Sequence, residues 1–107
     1  MQYSEIYSKL LMETALIIFF KTNGEIRLLL GTRNLNTIAI NYGFNGNVLG
    51  GIDNRCSINN GNIAVFDLML GDARSFKVDR IIDIKFFGPI TTKDELQAVI
   101  DKFNSFK

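Results

Sequence analysis

The stretch Ile63–Ile84, I-A-V-F-D-L-M-L-G-D-A-R-S-F-K-V-D-R-I-I-D-I, decides the architecture of this chain. Two β-patterned runs flank a Gly71-Asp72 turn. The second run, Arg74-Ser75-Phe76-Lys77-Val78-Asp79-Arg80, alternates apolar and charged residues with no interior glycine or proline. That pattern predicts a hairpin whose return strand has one buried and one polar face. It is architecture with a surface for a partner, and it carries no catalytic motif.

Upstream, Asn23-Gly24 is a second hairpin signal, because both positions of a two-residue turn must accept positive φ. It predicts strands over Thr14–Thr22 and Glu25–Arg33. A two-residue turn pairs Phe20 with Arg27, Ile18 with Leu29 and Leu16 with Gly31. The opposite face then sets Ala15, Ile17 and Phe19 against Ile26, Leu28 and Leu30. This second set is the better core face, with Phe19, like Phe76, pointing inward. Leu16, Ile18 and Phe20 make the other face apolar too. Either the opening helix covers it or another protein chain does, as in a homodimer.

Tyr3, Ile6, Tyr7, Leu10 and Leu11 fall on one helical stripe, so the first element is expected to be a helix. At the other end, Arg80–Phe87 reads as a strand stopped by Gly88-Pro89. Thr92-Lys93-Asp94-Glu95 is a capping box ahead of Leu96, Val99, Ile100 and Phe103, which predicts a closing amphipathic helix. Between the hairpins, Asn34–Gly61 holds five of the nine glycines and eight of the eleven asparagines. It reads as a long excursion with one or two weak strands at Ile38–Ile40 and Val48-Leu49, since structureless loops beyond about 12 to 15 residues are uncommon.

With 107 residues and 47% hydrophobic content the chain reads as one folded domain over residues 1–107. Twelve basic against eleven acidic residues leave a net charge of +1, so any attraction to nucleic acid must come from a local patch. The absence of histidine, with Cys56 the only cysteine, excludes imidazole-based triads and zinc sites of the usual nitrogen and sulfur type within one chain. No metal, cofactor or internal disulfide is expected, and no enzyme activity. The longest apolar run, Ala15–Phe20, is too short to span a membrane. Met1–Glu5 does not resemble a signal peptide, so a cytoplasmic location is expected.

Asp67, Asp72, Asp79 and Asp83 interleave with Arg74, Lys77, Arg80 and Lys85, and read as paired surface charges. The glycine-rich segment Gly43–Gly51 lacks the Gly-Lys-Ser/Thr ending of a phosphate loop and reads as a loop tip. The basic residues say more. Lys21, Arg27 and Arg33 lie on or beside the first hairpin, Arg55 on the excursion, and Arg74, Lys77 and Arg80 on the later strands. Small barrels bind nucleic acid by combining such cations with aromatic platforms, here supplied by Tyr42, Phe44 or Phe76. The competing reading is that the cations only keep sheet edges apart and that Phe76 is core.

Phe20-Lys21-Thr22-Asn23-Gly24-Glu25-Ile26-Arg27, then Val65-Phe66-Asp67, then Arg74-Ser75-Phe76-Lys77-Val78-Asp79 resemble, in that order, the small WYL-related, Sm-like (SH3-like) β-barrel proteins encoded by tailed bacteriophages. Ala73 departs from the tryptophan usual at that position, and the asparagine-rich centre is also unlike the family. The resemblance implies a mainly β (α+β) fold, a strongly bent antiparallel barrel flanked by N-terminal and C-terminal helices. It also implies a binding role in an infected cell and no reaction. Two partners are expected: a host protein, such as a defence or transcription component that would be inhibited, or single-stranded nucleic acid or a nucleotide.

Overall fold

The computed structural model describes residues 1–43 and 51–106. Helix α1 (Tyr3–Met12) leads into strands β1 (Thr14–Phe20) and β2 (Ile26–Thr32), then helix α2 (Leu35–Tyr42). Strands β3 (Asn62–Asp67), β4 (Asp72–Lys77) and β5 (Ile81–Phe86) follow, and helix α3 (Lys93–Ser105) closes the chain. Residues 51–54 are helical, and a 3-10 turn, Val78–Arg80, joins β4 to β5. The strands form one antiparallel sheet in the order β4-β3-β2-β1-β5.

Both expected helices form, α1 where its stripe predicts, although Leu11 stays exposed, and α3 where its stripe and capping box predict. In α1 the stripe buries Ile6 and Leu10, and the Glu5 carboxylate accepts the Gln2 amide. In α3 the Thr92 hydroxyl accepts the Glu95 amide at 3.2 Å while Glu95 accepts from Thr91 and Thr92. Leu96, Val99 and Phe103 face the core. The Glu95 carboxyl is held below the ordinary carboxylate range, chiefly by the Thr91 hydroxyl and then by Thr92.

The first hairpin forms, but one residue out of the expected register. Phe20 pairs with Ile26, Ile18 with Leu28 and Leu16 with Leu30. The cause is the turn: Lys21 N–H donates to Glu25 O and Gly24 N–H to Lys21 O, so Thr22-Asn23-Gly24 forms a three-residue loop with Gly24 at φ 87°. A slip of one residue exchanges the cross-strand faces. Leu16 and Ile18 therefore sit with Leu28 and Leu30, and Ile17 and Phe19 with Leu29 and Arg27. The second hairpin also turns more widely than expected. Asp67 pairs with Asp72 across Leu68–Gly71, the Asp67 carboxylate accepts the Met69 and Leu70 amides, and Gly71 takes φ 78°.

The sheet is covered on both faces. Ile6 and Leu10 of α1 pack with Ala15, Ile17, Phe19, Leu29, Ile63, Val65 and Phe76 on the inner face. On the outer face α2 (Ile38), Ile52, Ile90 and α3 (Leu96, Val99, Phe103) pack with Leu16, Leu30 and Phe66. The Leu16–Ile18–Phe20 face, expected to be covered by the opening helix or by another protein chain, is covered by other helices of this chain. Leu16 is buried and Ile18 half-buried beneath the chain's own helices, and only Phe20 stays exposed. The opening helix covers the other face of β1. The argument for a homodimer on this strand lapses accordingly.

The sheet curls strongly. Across the order β4-β3-β2-β1, a flat sheet would place β4 and β1 three strand spacings apart, about 14 Å. Yet the rings of Phe19 and Phe76 lie 5.8 Å apart, both buried as expected. The expected barrel is nonetheless not closed. β5 pairs with β1 and β4 with β3, and no ladder joins β4 to β5. Helix α1 packs on the inner face, with Tyr3 and Tyr7 against the same cluster as Val78, Ile81 and Ile84. The β2–β3 ladder is also short, Gly31 to Asp67 and Thr32 to Phe66. A side chain at position 31 would put its Cβ 2.5 Å from Val65 Cγ2, so glycine is what permits the two hairpins to meet there.

The excursion contains a helix where a weak strand was expected. Ile38–Ile40 lies in α2, started by the Asn34 side chain accepting the Thr37 amide at 3.1 Å, with Thr37 and Ile38 buried. The Val48-Leu49 island lies outside the described residues. The four aspartates do not pair with the neighbouring cations as expected. Asp67, Asp72 and Asp83 accept backbone amides instead, and among the described residues the ion pairs are Lys9–Glu13, Lys21–Glu25 and Arg33–Asp53.

Candidate functional site

A cleft of about 360 Å³ opens where the curled sheet brings the end of the β1–β2 hairpin opposite β4. Its cations come from four places: Lys21 after β1, Arg27 early in β2, Lys77 at the end of β4 and Arg80 in the 3-10 turn. Phe19, Phe20 and Phe76 supply its aromatic surface, and Thr22, Asn62 and Ser75 its neutral polar groups. Among the described residues no carboxylate lines it. The local fold explains the gathering. Arg80 Nη1 donates to the Lys21 carbonyl at 3.2 Å, and Val78 N–H donates to Gly61 O, so the 3-10 turn is tied to both hairpins.

The exposure of the site differs from floor to rim. Phe19 and Phe76 are buried and in ring contact, whereas Phe20 is 43% exposed and pairs across the strands with an exposed Ile26. Lys21 is balanced at 3.5 Å by Glu25, whose side chain stands in solvent. No carboxylate among the described residues pairs with Arg27, Lys77 or Arg80. Four cations around an aromatic floor therefore leave net positive charge facing an apolar surface. Such an arrangement offers cations to an anionic group and, at the exposed Phe20, a ring face to a flat one.

The other basic residues singled out in the sequence lie elsewhere. Arg74 lines a second cleft on the far side of Arg27. Arg55 is exposed and donates to the Ala73 carbonyl. Arg33 is withdrawn from the surface, which corrects its reading as a binding cation. Only 1% of its side chain is exposed, its guanidinium lies 3.8 Å from the Tyr7 ring centroid, and Nη2 donates to Tyr7 Oη at 2.9 Å and to Asp53. Nε and Nη1 of Arg33 find no acceptor among the described residues. Tyr42 is half-exposed but clamped, its hydroxyl donating to Leu68 O and its ring edge-on to Phe66 at 4.9 Å, so it is no stacking platform of this cleft. Phe44 lies outside the described residues.

Sequence reasoning missed Phe19 and Asn62 as wall residues and assigned Phe20 to a different surface. Phe19-Phe20-Lys21, an aromatic pair running into a cation at a strand end, was the available signal. Cys56 is engaged in the core, its thiol accepting the Ala64 amide at 3.3 Å. Tyr3, whose hydroxyl donates to Asn62 O, has its phenol pushed up, first by burial and then by the neighbouring Cys56 and Tyr7. Among the described residues no three His, Cys, Asp or Glu side chains gather to hold a metal, and no helix is long and apolar enough to cross a membrane.

Residues 3–82 match the model of the family described as WYL_2, Sm-like SH3 beta-barrel fold, so the chain belongs to that family. The matched segment takes in the whole cleft and ends within β5, leaving α3, which covers the outer face, beyond it. No curated protein and no solved structure matches the chain.

Proposed function

We propose, on the premise of this Sm-like family, that the chain is a non-enzymatic binding module whose basic and aromatic cleft takes single-stranded nucleic acid or a nucleotide. The observation that carries the reading is the convergence of Lys21, Arg27, Lys77 and Arg80 over Phe19, Phe20 and Phe76 with no acidic side chain in the lining. The chain's overall charge is nearly neutral, so this concentration is local and directional. Phosphates meet the cations and displace their counterions, and a base stacks on the exposed edge of the floor at Phe20. The resemblance of the motif order to tailed-phage proteins supports, in our reading, an activity in the cytoplasm of an infected bacterium.

A second reading, binding and inhibition of a host defence or transcription protein, is favoured by the exposed Phe20–Ile26 pair at the rim, 43% and 58% exposed. Apolar rims of this kind suit a protein partner.

Fluorescence anisotropy with a labelled oligothymidylate tests the first reading. Binding should weaken steeply with salt, and replacing both Lys77 and Arg80 by alanine should flatten that slope by about two phosphate contacts. Binding independent of salt, or none at micromolar protein, counts against it. Capture from bacterial lysate with and without nuclease separates the readings: a nuclease-resistant protein partner favours the second, a nuclease-sensitive complex the first.

A further inference from the structure

We propose that the ligand is a strand of several nucleotides, which leaves the basic cleft over Arg27 and continues into the second cleft, where Arg74, Leu28 and Leu70 hold its next unit. This rests on the nucleic-acid reading of the first cleft and extends it. The second cleft, about 330 Å³, lies between β2 and the β3–β4 turn. Arg27 lines both, so the two are neighbours sharing one cationic wall. Each is at the small end of the ~300–1,000 Å³ typical of ligand sites, which suits one unit of a polymer better than a whole extended ligand.

The two clefts are complementary in what they offer. The first supplies most of the charge, with Lys21, Lys77 and Arg80 besides Arg27. The second supplies Arg74 and an apolar wall of Leu28, Met69 and Leu70, the last of these 54% exposed. A phosphate between Arg27 and Arg74 with a base laid on Leu70 and Met69 satisfies both kinds of surface, the methionine adapting to whichever base is there. One acid lines this cleft, Asp67. Its Oδ1 accepts the Met69 and Leu70 amides and holds the turn that presents those two side chains. A duplex, whose bases are stacked away, could use the cations but not the apolar walls.

The test is a length series read by competition anisotropy: thymidine monophosphate, trithymidylate and hexathymidylate against the wild type, Arg74→Ala, Arg74→Lys, Leu70→Ser and Lys77→Ala. Affinity should rise at least about tenfold from the monophosphate to the hexamer, since a second contact site acts at high effective concentration. Arg74→Ala should lower hexamer affinity about fivefold or more and leave the monophosphate unchanged, with Arg74→Lys restoring most of the loss. Leu70→Ser, at an exposed position, should also act on the hexamer alone, whereas Lys77→Ala should weaken both ligands. Thermal melts matched to the wild type establish that the variants are folded. A flat length series, or an Arg74→Ala effect that is absent or equal for both ligands, overturns the second cleft and leaves the first standing. No binding of any member overturns both.

Discussion

Two arginines mark the opposite ends of β2, and the chain treats them in opposite ways. Arg33 follows the last residue of the strand, where its amide donates to Leu10 O at 2.8 Å and its side chain passes under Tyr7 of α1. There it is neutralised by Asp53 and closed off from water. Arg27 sits at the other end, where the hairpin tip opens onto the cleft and no described carboxylate meets it. A cation's role is thus set by the counter-charge and cover that the fold brings to it. A chain with balanced charge can still present a strongly basic site if its acids are placed elsewhere.

The open end of the comparison depends on its aromatic floor. Phe76→Ala should cost about 3 to 5 kcal/mol in urea unfolding, the usual range for a buried aromatic. An unchanged midpoint would mean that the Phe19–Phe76 contact does not hold the curl. At the closed end, Asp53→Ala should cost about 2 to 3 kcal/mol, less than a fully enclosed pair because water reaches the carboxylate. Adding Arg33→Met to that variant should recover much of the loss, since an apolar side chain needs no counter-ion. If Asp53→Ala is silent, the two arginines do not differ in the way described.

Arg27→Ala is the mirror experiment. Stability should stay within about 0.5 kcal/mol of wild type, while the salt slope of oligonucleotide binding falls by about one. Destabilisation without a binding defect would make Arg27 another structural cation. The smallest effect concerns Glu95, an exposed carboxylate in the first turn of α3, which calibrates how little such a charge matters. Its folded pKa is lowered, so its contribution is present above the unfolded carboxylate range and is lost as pH falls through the folded value. The melting difference between wild type and Glu95→Gln should therefore be small at neutral pH and vanish in acid. A difference that grows in acid would contradict the hydrogen bonding at Thr91 and Thr92.

The parts of the fold legible in the sequence were those governed by local signals. Thr92 and Glu95 mark the start of α3, and Leu96, Val99 and Phe103 its buried face. The apolar stripe of α1 and the existence of both hairpins were legible on the same grounds. Register was not, because Asn23-Gly24 serves a three-residue loop as readily as a two-residue one, and the choice exchanges the cross-strand partners. Helix α2 is not legible in the sequence because Asn34, its cap, fits loop composition equally well. Of the site, Lys21, Arg27, Lys77, Arg80 and Phe76 were foreseeable from the two hairpins. Their division from Arg33, Arg55 and Arg74 was not, because it follows from how the sheet curls and where α1 packs.

Gly31 carries a consequence for how this chain can vary. The Cβ that any other residue would bring there falls 2.5 Å from Val65 Cγ2, within the short seam joining the hairpins. Neither position is free to drift alone. Gly31→Ala by itself should strain the seam, whereas beside Val65→Ala the worst contact is the milder 3.1 Å to Val65 Cβ, so a change at one site should be better tolerated on the background of the other. In relatives, the two positions should be inherited as a pair, with side-chain bulk exchanged across the seam and never added to both sides at once.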